Sequence, residues 1–91
     1  MVKVMYEIRF SKGAGKYLKK LDRNTKDRIK KSLLELAEDP YGTRNLDIKR
    51  LAGYEDSYRL RVGKYRALYT IIDKEVVIFV FDLDSRGDIY K

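Results

Sequence analysis

Cysteine is absent from the 91 residues, and so is histidine. Without thiols the chain forms no disulfide, runs no thiolate chemistry and builds no zinc–cysteine site. Without imidazole it lacks the usual general base and the commonest metal ligand. Any chemistry therefore falls to Lys, Arg, Tyr, carboxylates or backbone, and neither a metal nor a small-molecule cofactor is expected. No apolar run approaches the roughly 20 residues that span a bilayer. The opening Met1-Val2-Lys3-Val4-Met5-Tyr6 has no signal-peptide core, because Lys3, Glu7 and Arg9 interrupt it. The expected setting is cytoplasmic, with no membrane partner.

What is present is positive charge. Lys and Arg number 21 against 14 Asp and Glu, a formal net charge of +7. On one small domain this is a strong field, and it points to an anionic partner: nucleic acid, an acidic protein segment or a membrane surface. Surplus Lys also serves solubility, the plainer explanation. At 91 residues the chain fits one domain with one modest core, and its 44% apolar residues make it globular rather than disordered. Residues 1–91 are read as a single domain.

Tyr6, Ile8 and Phe10 alternate with Glu7 and Arg9, the period of a half-buried strand. Ser11 is placed to cap a helix over Lys12–Leu21, whose apolar positions Ala14, Tyr17, Leu18 and Leu21 share a face. Gly13 and Gly15 predict a weakened first turn. Asn24 or Thr25 is the expected cap of a second helix carrying Ile29, Leu33, Leu36 and Ala37 on one stripe, and Asp39-Pro40 ends it. After a loop, Ile48–Leu51 is a short strand candidate. Tyr58–Val62 alternates as a strand, Gly63-Lys64 is a hairpin turn, and Tyr65–Ile72 returns. Asp73-Lys74 reads as a second two-residue turn before Glu75–Phe81, apolar on both faces and so placed centrally. The tail from Asp82 reads as polar. The predicted fold is α+β, in the order β-α-α-β-β-β-β, with two N-terminal helices packed on one side of a largely antiparallel sheet of four to five strands.

The run Tyr58-Arg-Leu-Arg-Val-Gly-Lys-Tyr-Arg-Ala-Leu-Tyr69 carries the functional signal. If Tyr58, Leu60 and Val62 face the helices, Arg59 and Arg61 face away together, roughly 6.6 Å apart at about 3.3 Å per residue. The turn brings Arg66 alongside them. Three guanidiniums on one hairpin repel unless an anion lies between them. The alternatives are an anion-binding face and internal pairing with carboxylates, for which only Glu55 and Asp56 are near in sequence. Eight tyrosines are the second feature. Tyr17, Tyr58 and Tyr69 read as core, while Tyr65 and Tyr90 are candidates for stacking on bases or for hydroxyl chemistry.

The same run resembles the central hairpin of the RelE/ParE toxin superfamily, in its RelE-like branch. Lys49-Arg50-Leu51-Ala52-Gly53 resembles that family's approach to the hairpin, Ile71–Val80 its last hairpin, and Asp84-Ser85-Arg86-Gly87-Asp88-Ile89-Tyr90 its C-terminal Arg…Tyr element. The resemblance implies the toxin of a type II toxin–antitoxin system: an endoribonuclease, or mRNA interferase, that enters the ribosomal A site. It cleaves mRNA without a metal by attack of the ribose 2′-OH, and a cognate antitoxin protein neutralises it. By position it assigns catalytic roles to Arg59, Arg61, Arg66, Arg86 and Tyr90. Arg66 stabilises the phosphate, Arg86 the leaving oxygen, and Tyr90 stacks on or orients substrate. Lys49, Arg50, Lys64 and Tyr65 are expected to touch RNA.

The chain departs from the family where Arg59 and Arg61 stand, since other members often carry Lys at these positions, one of them assigned as general base. Arginine stays protonated far above neutral pH and is a poor proton acceptor there. The resemblance thus leaves the base to Lys64, Lys49 or Tyr90, or else leaves the work to positioning and charge. A ParE-like toxin acting on DNA gyrase and a basic RNA- or antitoxin-binding module without cleavage are the competing readings.

Overall fold

The computed structural model describes residues 4–42 and 45–85. Its elements are β1 (Glu7–Phe10), α1 (Lys12–Lys20), α2 (Arg23–Glu38), β2 (Asp47–Arg50), β3 (Ser57–Val62), β4 (Tyr65–Ile72) and β5 (Val77–Ser85). The five strands form one sheet in the spatial order β1-β5-β4-β3-β2. β1 pairs with β5 in parallel and every other pairing is antiparallel. The expected α+β order is therefore observed. No helix among the described residues is long and apolar enough to cross a membrane.

Both helices cover the same face. Ala14 and Leu18 of α1, and Ile29, Leu33, Leu36 and Ala37 of α2, are buried with Leu60, Ala67, Tyr69, Ile71, Ile78, Val80 and Leu83 in one core. The helical spacing of the first group and the strand alternation of the second are what make the two faces meet. Tyr69 is fully buried in this core, and Tyr17 and Tyr58 pack against it. The Tyr58 and Tyr69 rings stack with centroids 5.6 Å apart.

Several boundaries differ from expectation for identifiable reasons. The first turn of α1 holds despite two glycines, because the Ser11 hydroxyl accepts from the Ala14 N–H at 3.1 Å. α2 starts at Arg23 with Asp22 as its cap residue, not at Asn24 or Thr25. Thr25 instead hydrogen-bonds the Asp22 carboxyl, holding it below the usual carboxylate range. The β4–β5 connection is not a two-residue turn. A short 3₁₀ segment (Asp73–Glu75) ends on Val76 in the left-handed region at φ 55°, so β5 begins at Val77 rather than Glu75. Asp73 is gripped there by the hydroxyls of Tyr6 and Tyr41, both at 2.8 Å. The central strand is β4, with β5 beside it and also paired on both edges.

The largest difference is at the end of β5, which runs through Ser85 instead of dissolving into a tail at Asp82. Its register with β4 shifts between Leu68 and Tyr69: Tyr69 faces Val80 but Leu68 faces Asp82, leaving Phe81 as the extra residue of a β-bulge. The bulge inverts the alternation that follows. Val80 and Leu83 both point into the core although three residues apart. Asp82 and Asp84 are thereby turned to the outer face of the sheet.

Candidate active site on the outer face of the sheet

The face opposite the helices carries the basic residues of the hairpin. Arg59 and Arg61 come from β3, and Arg66 joins them from β4 across the Gly63-Lys64 turn. Gly63 sits at φ 61°, a backbone conformation that favours glycine. The pairing of β3 and β4 sets Arg61 directly opposite Arg66. The neighbouring strands extend this into a row: Asp47 of β2 lies opposite Arg61, and Asp84 of β5 lies opposite Arg66. Reading across four strands, the outer face presents acid, arginine, arginine, acid.

The two carboxylates answer the charge problem posed by the hairpin. Asp47 Oδ1 accepts from Arg59 Nη2 at 3.2 Å, and its Oδ2 lies 3.6 Å from Arg61 Nε. Asp84 Oδ1 accepts from Arg66 Nε at 3.4 Å. Internal pairing, for which sequence offered only Glu55 and Asp56, is thus present but comes from distant strands. It is incomplete. Asp47 serves two arginines at once, and the Arg59 Nε is buried with no hydrogen-bond partner among the described residues. Two acids against three guanidiniums leave a net positive row, with Lys49 and Lys64 exposed beside it.

Arg61, Gly63, Lys64 and Arg66 line a depression of about 240 Å³ at the hairpin end of this face. That volume accommodates a phosphate and part of a sugar. The guanidiniums are held on strands rather than loops, so their placement costs little entropy when an anion arrives. Chemically, such a set binds phosphate oxygens through forked N–H groups and stabilises added negative charge on them.

The other expected residues distribute as follows. Lys49 faces Arg59 across β2 and β3 and shares the arginine face. Arg50 faces Tyr58, so it belongs to the opposite face of the edge strand, where it is exposed. Tyr65 also turns away from Arg66: its ring packs against the core, with Lys64 Nζ 5.5 Å from its centroid. It is not assembled with the arginines as a stacking platform. Arg86 and Tyr90 lie outside the described residues. Asp47 and Asp84 are the members of the site that sequence reading missed. The signal available for Asp84 was the alternation Asp82-Leu83-Asp84, which is that of a half-buried strand. Its partner Arg66 required the register.

Known proteins resemble this chain over most of its length. The family described as ParE toxin of type II toxin-antitoxin system, parDE, matches residues 8–90. The mRNA interferase toxin RelE of Escherichia coli strain K12 is 34% identical over 83 residues, covering 89% of this chain and 83% of that protein. The archaeal RelE in the RelE–RelB complex from Pyrococcus horikoshii OT3 superposes with a TM-score of 0.78 at 29% identity, over 91% of this chain and 97% of that one. The intact E. coli RelBE toxin–antitoxin complex contains a chain matching with a TM-score of 0.75 at 32% identity, over 88% of this chain and 95% of that one. With the helices on one face and the arginine row on the other, the chain belongs to the RelE/ParE toxin superfamily, in its RelE-like branch.

Proposed function

We propose that this chain is the toxin of a type II toxin–antitoxin pair: an mRNA interferase that cuts mRNA in the ribosomal A site, without a metal, and is neutralised by its own antitoxin. The single observation that carries this reading is the Arg61–Arg66 pair. Two like charges stand face to face beside an open depression, an arrangement that gains most when a phosphate lies between them. Relatives named mRNA interferase, and structures of RelE bound to RelB, support the same reading.

In this reading the 2′-oxygen attacks the adjacent phosphorus and the 5′-oxygen leaves. The products are a cyclic phosphate and a free 5′-hydroxyl. Arg61 and Arg66 hold the nonbridging oxygens as negative charge builds on them, and Arg59 with Lys49 and Lys64 tracks the flanking backbone. Arg86 is assigned to the leaving oxygen and Tyr90 to the substrate base. The acidic or amphipathic part of an antitoxin suits the same face. Its binding covers Arg59, Arg61 and Arg66 or displaces the 86–90 segment, and the proposed setting is the cytoplasm.

The experiment is translation in vitro with primer extension on the mRNA. Cuts that require ribosomes, resist chelator and fall about 10²- to 10³-fold in Arg66→Ala are expected; inhibited translation with intact mRNA would exclude cleavage. The ParE description of the matching family favours one second reading, poisoning of DNA gyrase. Inhibition of supercoiling by stoichiometric protein, with mRNA uncut, would replace the first reading with that one.

A further inference from the structure

The reaction needs a group that takes the proton from the attacking 2′-hydroxyl, and neither Arg59 nor Arg61 is suited to it. Lys49 and Lys64 are exposed, and burial is what ordinarily turns a lysine into a base. We infer that Asp84 is the general base: a carboxylate that the β5 bulge delivers to the arginine face, beside Arg66. The proposal rests on the ribonuclease reading above and names a residue for the step it left open.

Three carboxylates stand on the outer face near the arginines, and their surroundings separate them. Asp47 is shared by Arg59 and Arg61, on an edge strand where its side chain is 52% exposed. Two cations bind it, so it is the more heavily neutralised of the two acids that end the row. Asp82 spends its Oδ1 on the N–H of Leu83 at 3.0 Å and stands opposite Leu68, not an arginine. Among the described residues Asp84 has one charged contact, a long 3.4 Å to Arg66 Nε, and its side chain is 29% exposed. It is more withdrawn from water than Asp47 and stands next in the row to Arg66.

The pairing with Arg66 supplies a sequence of events. Before substrate binds, Arg66 neutralises Asp84. When the phosphate settles between Arg61 and Arg66, the guanidinium turns its fork to the phosphate oxygens, a better and bidentate partner. Asp84 is released from its cation at the moment a proton has to be taken. The 2′-oxygen and the phosphorus approach to about 3–3.5 Å at attack, and Asp84 stands one strand, about 4.8 Å, beyond Arg66. The 2′-O–H proton passes to Asp84, the new P–O2′ bond forms and the P–O5′ bond breaks. The departing 5′-oxygen takes a proton from water, and Asp84 later returns its own to solvent. Charge and atoms balance with no further reactant.

The bulge makes this a built feature. With unbroken alternation from Val80, residue 82 would point into the core and residue 84 would follow it. The register shift between Leu68 and Tyr69 is what turns Asp84 outward. Bulges often re-aim a side chain in this way next to active sites.

The test is single-turnover cleavage of mRNA on programmed ribosomes, with ribosome binding measured in parallel. Asp84→Asn keeps an oxygen for Arg66 but accepts no proton. It is expected to slow cleavage about 10²- to 10⁴-fold with binding unchanged, and Asp84→Glu to restore part of the rate. If Asp84 acted only by orienting Arg66, Asp84→Asn would add nothing in an Arg66→Ala background; as the base it slows that variant further. A loss below tenfold in Asp84→Asn, or no added loss in the double variant, overturns the assignment. Should Asp84→Asn fold poorly, Asp84→Ser is read by the same criteria. A parent chain that cuts no mRNA overturns the ribonuclease reading and this assignment with it, whereas a parent that cuts while Asp84→Asn cuts equally fast overturns this assignment alone.

Discussion

Arg61 and Arg66 occupy directly opposed positions on β3 and β4, two cations in one cross-strand pair. Like charges so placed destabilise a sheet, and their cost here is offset by Asp47 on one side and Asp84 on the other. The prediction is a separation of function from stability. Arg66→Ala should lower cleavage about 10²- to 10³-fold, the scale of losing one preorganised oxyanion donor. Its unfolding free energy should stay within about 1 kcal/mol of the parent, because the lost repulsion offsets a partly exposed ion pair of small worth. Urea unfolding alongside the cleavage assay checks both halves. Arg66→Lys should keep ribosome binding but recover little rate, since an ammonium cannot hold two phosphate oxygens as a fork does.

Asp47 competes with phosphate for Arg59 and Arg61. Asp47→Asn should therefore bind single-stranded RNA more tightly at low salt. The dependence of log K on log salt should steepen by about 0.7, one additional phosphate contact on a single strand. Filter binding across a salt titration measures the slope. An unchanged slope would mean that the Asp47 contacts do not limit access to the two arginines.

Most of the architecture was legible because it rests on local pattern. The 3.6-residue stripe of Ile29, Leu33, Leu36 and Ala37, the alternation of Tyr58–Val62 and the Gly63-Lys64 turn each announce an element. The site was legible only in its arginines, which share one hairpin and so one short stretch of sequence. Asp47 and Asp84 lie 19 and 18 residues from Arg66 in sequence and meet the row through strand pairing. A single extra residue in β5 decides which way Asp84 points. Register and bulges are fixed by packing of the whole sheet, here by Val80 and Leu83 both reaching the core, and sequence alternation alone misassigns every side chain beyond such a point. Tyr65 shows the same limit in reverse: its place beside Arg66 in sequence puts it on the other face of the strand.

Tyr69 holds a hydroxyl in the core with no hydrogen-bond partner among the described residues. Burial, then the nearby Tyr58, raises its pKa well above the ordinary tyrosine value of 10.0. Tyr69→Phe removes an unsatisfied buried polar group and should stabilise the fold by about 1 kcal/mol at pH 7. The sign of the pH effect follows from the raised value. The unfolded chain ionises Tyr69 near its ordinary pKa while the folded chain resists, so the parent loses stability as pH rises above about 10. The variant has no phenol there, and its advantage should widen above that pH. Thermal melts of both chains from pH 7 to 11 would show it; a constant difference across the range would contradict it.

Ser11 joins the start of α1 to the bulge that places Asp84. Its hydroxyl accepts from the Ala14 N–H at 3.1 Å and donates to the carbonyl of Phe81, the bulged residue, at 3.0 Å. Its own N–H donates to the Val80 carbonyl at 2.9 Å. Ser11→Ala removes the two hydroxyl bonds and keeps the backbone one. Loss of the cap alone is worth about 1 kcal/mol, and the orphaned Phe81 carbonyl can be met by water, so a total of about 1–2 kcal/mol is expected. Gly in place of Ser11 should cost less at the helix, since glycine is a tolerable cap residue, yet it leaves Phe81 equally unpaired. The two variants therefore separate the roles. If Ser11 steadies the bulge, both should lose cleavage rate to a similar degree while differing in melting temperature. Equal rates to the parent in both would confine Ser11 to capping.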